Sequence, residues 1–301
     1  MTLANIELYH QETEVALLGA LRSHLSSGVY VDVGAERGGM AQALLSYGYG
    51  PAHLIEPAPG NLAELRRVFG ERSDVEILDI AAGASDGEAT LYVATTPDGE
   101  PQPAFNSIGL PGEGDEYRWT ADGTVVCRSL DSLLREQRIP GQVGLLKIDA
   151  EGTDLEVVRG MGSLQCDALM IELWLDIPGS VGRCPWTLEE LVELLEPGGL
   201  RRLVFVSHQG SEVRLVDGAA EPGVGGYGNV VFMTDRVYES ARTAIELVAD
   251  QADRFSDALA EMAIKEKNLN IFAEEVEKQR VAIEQIEADR RRLESQLREQ
   301  R

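Results

Sequence analysis

The run Val29-Tyr30-Val31-Asp32-Val33 stops at Gly34, and a helical pattern restarts by Gly38. β-Branched residues suit an extended chain packed between neighbours, so the run reads as a strand. Glycine at the turn allows φ > 0 and leaves no side chain to block a close approach. A strand, a glycine turn and a helix in such short order form the repeating unit of an open α/β sheet. That unit brings backbone amides to the strand edge where ligands bind. Strand-like segments at 29–33, 52–56, 75–80, 143–149, 168–174, 201–207 and 229–233 alternate with helical patterns at 38–48, 59–69, 154–161 and 187–196. The alternation predicts an α/β fold with a doubly wound, mostly parallel, seven-stranded sheet covered on both faces. Thr187-Leu188-Glu189-Glu190 adds a capping box to the last of these helices.

Glu56 closes the apolar run that begins at Ala52, 22 residues beyond Gly34, where the sugar-binding acid of a dinucleotide site would lie. The turn is Gly-x-x-x-Gly, not Gly-x-Gly-x-x-Gly, and so suits a pyrophosphate poorly. A ribose-bearing ligand without a diphosphate fits better, with S-adenosylmethionine the leading candidate. A nicotinamide-dependent oxidoreductase and a tight turn with no ligand are the alternatives.

The second informative segment runs from Val143 to Gly152 and carries Lys147, Asp149 and Glu151 at alternating positions. Alternation places all three on one side while the strand lasts. Ionisable groups there must pair with one another, in a satisfied ion-pair cluster, or bind something. Glu172 and His208 fall at later strand ends, so Asp149, Lys147, Glu151, Glu172 and His208 are the candidates for moving a proton. Two adjacent carboxylates would hold Lys147 protonated, which favours Asp149. Asp149 with Glu172 could instead offer oxygen ligands to Mg²⁺.

The formal net charge is −24, of which −20 lies in residues 1–234. A body that acidic repels phosphate backbones and anionic headgroups, arguing against nucleic acid or a bilayer and for a neutral or cationic partner. No apolar run approaches the ~18 residues of a membrane span. Cys127, Cys166 and Cys184 are widely spaced and read as reduced thiols of a cytoplasmic protein. Residues 1–27 have helical spacing, and 87–93 looks like an accessory strand. A Pro/Gly-rich loop follows from Thr95 to Gly123, and its Phe105-Asn106-Ser107 suggests a substrate-facing lid. With the 176–186 segment (Asp176, Arg183, Trp186), that loop would meet the acceptor.

After residue 234 glycine and proline vanish. Val248, Phe255, Met262, Leu269, Val276, Ile283 and Leu297 recur on a heptad that Arg290 interrupts. This predicts a helix of some 55–65 residues, about 90 Å long. Residues 240–301 would pair as a coiled coil, making a homo-oligomer or holding a partner protein. Three segments result: an N-terminal helical segment (1–27), the ligand-binding domain (28–234) and the long helix (235–301).

Read in order, Asp32-Val33-Gly34-Ala35 with Gly38, Ile55-Glu56-Pro57, Ala81-Ala82, Asp86-Gly87 and Ser129-Leu130-Asp131-Ser132-Leu133 form a series. Leu146-Lys147-Ile148-Asp149-Ala150-Glu151-Gly152 and Arg159-Gly160 complete it. Together they resemble the FkbM family of S-adenosylmethionine-dependent methyltransferases across residues 28–233. One departure is Glu36-Arg37, where members more often carry Asn and an aliphatic residue. The resemblance implies a class I methyltransferase sheet whose last hairpin strand is antiparallel. It also implies methyl transfer to a hydroxyl of a carbohydrate, glycolipid or related secondary metabolite. Carried onto this chain, Asp32, Gly34, Ala35, Glu36 and Gly38 would serve the methionine part of the cofactor. Glu56 and Pro57 would serve the ribose, Ile80, Ala81 and Ala82 the adenine, and Asp149 the sulfonium end. Because methyl transfer does not require the long helix, a second reading is a cofactor-binding but idle scaffold whose coiled coil organises glycan-assembly enzymes.

Overall fold

The computed structural model describes residues 3–109, 117–174, 186–209, 212–217 and 227–258, with residues 261, 265 and 278. The first elements are α1 (Leu3–Leu21), β1 (Tyr30–Val33), α2 (Gly39–Ser46), β2 (Ala52–Ile55), α3 (Pro59–Phe69) and β3 (Val75–Leu78). Next come β4 (Ala81–Ala82), β5 (Gly87–Thr95), β6 (Arg118–Arg128), α4 (Leu130–Arg135), β7 (Gln142–Ile148) and α5 (Asp154–Arg159). The chain continues through β8 (Gln165–Trp174), α6 (Leu188–Leu195), β9 (Leu200–Gln209), β10 (Glu212–Asp217) and β11 (Tyr227–Thr234). A last helix, α7, covers residues 235–258.

The main sheet has the order β10-β9-β11-β8-β7-β1-β2-β3. β1, β2, β3, β7 and β8 run parallel, and β11 lies antiparallel between β8 and β9. This is the class I methyltransferase arrangement, and its seven core strands are those the periodicity marked. An eighth, β10, extends the edge by pairing back on β9. The order reverses at β1, so ligands should meet the C-terminal ends of β7, β1 and β2.

β7 sits at the centre because Val143 to Ile148 is buried throughout, Lys147 included. A strand covered on both faces must be almost continuously apolar. One face is filled by Leu133, Val157, Leu164, Leu191 and Trp186 from the helices and loops over it. The capping box on α6 forms, with Thr187 accepting from Glu190 N and Glu190 accepting from Thr187 N.

A second, three-stranded sheet, β4-β6-β5, stands beside the main one. The composition of 95–123 predicts a loop, whereas residues 118–123 belong to β6 and pair with β5. Residues 110–116 lie outside the described residues. β6 escapes notice because Arg118–Gly123 is largely exposed and carries Asp122 and Gly123, so neither alternation nor composition marks it.

The chain divides into compact units at 253/254. In the first, Val237, Ala241, Ile245, Val248 and Ala252 of α7 form a buried stripe at helical spacing. Val248, the opening heptad position, is therefore already used within the body. In the second, Lys265 pairs with Glu261 at 3.4 Å. Its heptad positions from Met262 to Leu297 lie outside the described residues. No described helix is long and apolar enough to cross a membrane.

Candidate active site

The β1–α2 turn is forced by close approach. Gly34 has φ 73°, and a Cβ there would sit 1.8 Å from the Asp149 carbonyl oxygen. The amides of Gly34 and Ala35 both donate to Ile55 O, Glu36 N donates to Glu56, and Gly38 N donates to Ala35 O. The turn's amides are thus engaged inside the protein, contrary to the expectation that they would face a ligand. What the turn offers instead is open space. A pyrophosphate, which needs a ring of free donors, finds none among these four.

Glu36 holds φ 49°, a left-handed conformation that asparagine tolerates best among residues with a side chain. That accounts for the asparagine more common in the family at this position. Here a glutamate carries the strain so that its amide can reach Glu56 Oε2 at 2.9 Å.

Glu56, at the end of β2, is 4 % exposed. Its Oε1 accepts from Ala58 N at 2.8 Å. Burial raises its carboxyl to about 7, against the pull of the two backbone donors. Each oxygen keeps a lone pair for a ligand hydroxyl.

At the end of β7, Lys147 Nζ lies 3.2 Å from Asp32 Oδ1 and 3.2 Å from Asp149 Oδ2, and it donates to Gly34 O. Asp32 also accepts from the Tyr30 hydroxyl at 2.6 Å. Burial alone would neutralise Lys147, but the two carboxylates overcome it and push its pKa above the usual lysine value. Asp32 lies beneath the site, 1 % exposed, with burial raising its pKa against the help of Lys147 and Tyr30. Tyr30 and its bond to Asp32 were not legible in the sequence, since an aromatic in a strand reads as core.

Beyond β7 the chain reverses through Glu151 (φ 51°) and Gly152 (φ 94°). Asp154 secures this turn, accepting from Ala150 N at 2.9 Å and Gly152 N at 3.1 Å. Burial raises its carboxyl to about 6. An aspartate opening a helix just after a glycine is a capping signal that could have revealed it.

These turns enclose a cleft lined by Gly34, Glu36, Glu56, Pro57, Asn61, Ala81, Ala82, Asp149, Glu151 and Thr153. Pro103, Ala104, Asn106 and Ile108 close one side. The expected lid is therefore a wall, fixed by Ser107, which donates to Glu151 O at 2.8 Å. Phe105 stacks on Tyr117 with ring centroids 4.5 Å apart. Of the expected cofactor residues, Asp32, Ala35, Gly38 and Ile80 do not line the cleft. Asn61 and Ala104 do, and neither carried a sequence signal, whereas Asn106 belongs to the Phe105-Asn106-Ser107 run expected to face the substrate.

Glu172 on β8 comes near the β7 end, and carboxylate oxygens of Asp149, Glu151 and Glu172 lie within 4.8 Å of one another. Its cross-strand neighbour Asn229 donates to Glu14 of α1 at 2.6 Å. His208 pairs by its backbone with Tyr227 and Val213. It stands three strand spacings from β7, about 14 Å. Trp186 is 5 % exposed and belongs to the core, so it offers no ring to an acceptor. Asp176 and Arg183 lie outside the described residues.

The charged side chains lining the cleft are Glu36, Glu56, Asp149 and Glu151, all acidic. Such a lining suits a cationic sulfonium and disfavours a diphosphate. With a hydroxyl acceptor at Glu56, no Cβ at Gly34 and alanines for a flat base, the residues fit S-adenosylmethionine. Residues 32–180 match the family model of the methyltransferase FkbM domain. No curated protein matches the chain in sequence. Among solved structures, the chain is similar to a precorrin-6y C5,15-methyltransferase from Geobacter metallireducens GS-15, at 12 % identity and TM-score 0.36, covering 74 % of this chain and 87 % of that one. It is also similar to the 1,6-didemethyltoxoflavin-N1-methyltransferase of Burkholderia thailandensis with bound S-adenosylhomocysteine, at 17 % identity and TM-score 0.34, covering 73 % and 79 %. Residues 32–180 therefore carry a methyltransferase FkbM domain, and the chain is an S-adenosylmethionine-dependent methyltransferase.

Proposed function

We propose that the chain methylates a hydroxyl oxygen of a carbohydrate, glycolipid or related secondary metabolite. The observation that carries this reading is the meeting of Asp149 and Glu151, which line the cleft, with Glu172 of β8, their carboxylate oxygens within 4.8 Å of one another. S-Adenosylmethionine supplies an electrophilic methyl group when bound. The protein then has to align the acceptor oxygen and receive its proton. A hydroxyl is a weak acid, so a carboxylate at hand is worth more here than for a thiol. Lys147, locked as an ammonium between Asp32 and Asp149, cannot be that base. Its role is to hold Asp149 in place, 3.2 Å away, and Asp149 is the base. Carboxylates also suit an acceptor with several hydroxyls, since each oxygen accepts in a fixed direction.

The same three carboxylates support a second reading, in which Mg²⁺ lowers the acceptor's pKa. Residues 240–301 would serve oligomerisation or a partner protein rather than chemistry. The test is turnover of S-adenosylmethionine to S-adenosylhomocysteine with a panel of glycans, with and without EDTA. Hydroxyl acceptors should turn over, and Glu172→Gln should lower kcat while leaving S-adenosylhomocysteine affinity within about threefold. Turnover only with amine acceptors would overturn the reading, and loss of activity in EDTA restored by Mg²⁺ would select the metal version.

A further inference from the structure

β7 and β8 pair at Ile148 and Ile171, so Asp149 leaves β7 level with Glu172. Glu172 pairs in turn with Asn229 of β11. Residues directly opposite in an antiparallel pair project from the same face, their Cβ atoms about 4.5–5.5 Å apart. Asp149, Glu172 and Asn229 thus form one row across three strands, on the face that also carries Lys147.

α1 closes over this row. Glu14 is 6 % exposed, and its Oε1 accepts from Asn229 Nδ2 at 2.6 Å. Three residues earlier, Gln11 lies over the start of α2, where a Cβ on Gly39 would come 3.7 Å from its Nε2. α1 therefore reaches from the helix that follows the donor turn to the strand beside Glu172. Leu17, Leu18 and Leu21 bury the next turns of the helix. Drying a carboxylate is costly unless it is paired, and a leucine at position 14 would extend the apolar face without that cost. What Glu14 adds is direction: it draws the Asn229 amide nitrogen towards α1 and so pins the side chain that stands against Glu172.

We propose that Glu14 and Asn229 are positioning residues for methyl transfer: Asn229, pinned by α1, confines the Glu172 carboxylate beside Asp149. This rests on the reading in which those carboxylates meet the acceptor. α1 is accordingly an element of the acceptor site as well as a cover for the sheet.

The test is a double-substitution cycle in steady-state kinetics, with the glycan of the panel that the wild type methylates fastest. Asn229→Ala should lower kcat/KM at least tenfold while S-adenosylhomocysteine affinity stays within about threefold. On a Glu172→Ala background the same change should cost less than about threefold, because the residue it acts through is already lost. Equal losses in the two backgrounds overturn the proposal, and so does a kcat/KM within about threefold of wild type in Asn229→Ala. If Asn229→Ala does not fold, position 14 decides. Glu14→Gln keeps an acceptor for Nδ2 and should exceed Glu14→Leu in kcat/KM by at least fivefold; equal values overturn the proposal. Methylation confined to amines would instead remove the hydroxyl reading, and it shows in the wild type alone.

Discussion

The two halves of the cleft are built from different materials. On the donor half, between β1 and β3, the functional group is gripped by backbone: both Glu56 oxygens accept main-chain amides, and Gly34 has room for nothing but hydrogen. On the acceptor half, Asp149 is held by one ammonium and meets Glu151 and Glu172, side chain to side chain. Backbone geometry is indifferent to most substitutions, whereas a cluster of side chains can be retuned one residue at a time. Under the proposed function, that division would keep the donor site fixed and leave the acceptor site open to change.

The harshest challenge to this picture is Gly34→Ala. A methyl group 1.8 Å from the Asp149 carbonyl, at φ 73°, cannot be accommodated without moving β7. The expected cost exceeds about 4 kcal/mol, enough to unfold a marginal domain, and a melting curve close to wild type would refute the claim of close packing. Next in size is Lys147→Met, which leaves Asp32 buried without its counter-charge. Chemical denaturation should show a loss of about 3–5 kcal/mol at neutral pH. The loss should shrink in acid, where Asp32 is protonated; a pH-independent loss would point to packing instead.

Glu56 sharpens the comparison through pH. Its carboxyl is raised from 4.5 to about 7, so the folded state binds this proton more tightly than the unfolded chain does. Its contribution to stability is therefore greatest below pH 4.5 and is lost as pH rises through about 7, by at most roughly 3 kcal/mol. Ligand binding runs the other way, because hydroxyls need the ionised form. S-Adenosylhomocysteine affinity should fall as pH drops below about 7, and Glu56→Gln should weaken binding at least tenfold and flatten both pH profiles. The smallest effect is expected for Glu36→Asn. Relief of strain at φ 49° should raise stability by about 0.5–1 kcal/mol and Tm by a few degrees. A lowered Tm would mean that the Glu36 side chain has contacts that matter more than its backbone.

The same division governs what could be read from the sequence. Strands β1, β2, β7 and β8 announce themselves because burial on two faces demands unbroken apolar runs. Gly34, Glu56 and Asp149 stand out because they end such runs abruptly. α4 is only Leu130–Arg135 long, too short for helical periodicity to show. Asn61 is invisible for a different reason: an asparagine in the first turn of a helix is ordinary, and only the fold sets it beside the cleft. Glu172 could be placed at a strand end from sequence, but its proximity to Glu151 depends on the reversal at φ 51°, which no propensity predicts for glutamate.

The contact between Gly34 and the Asp149 carbonyl has a consequence for inheritance and engineering. The two motifs lie far apart in the chain yet occupy each other's space, so neither can be exchanged alone. A chimera joined between them should work only if both parents hold β1 and β7 in the same register, whatever their overall similarity. Breakpoints after α5 avoid that condition. Strands β8, β9 and β11, which pair with one another in the sheet, could then be exchanged as a block without disturbing that contact.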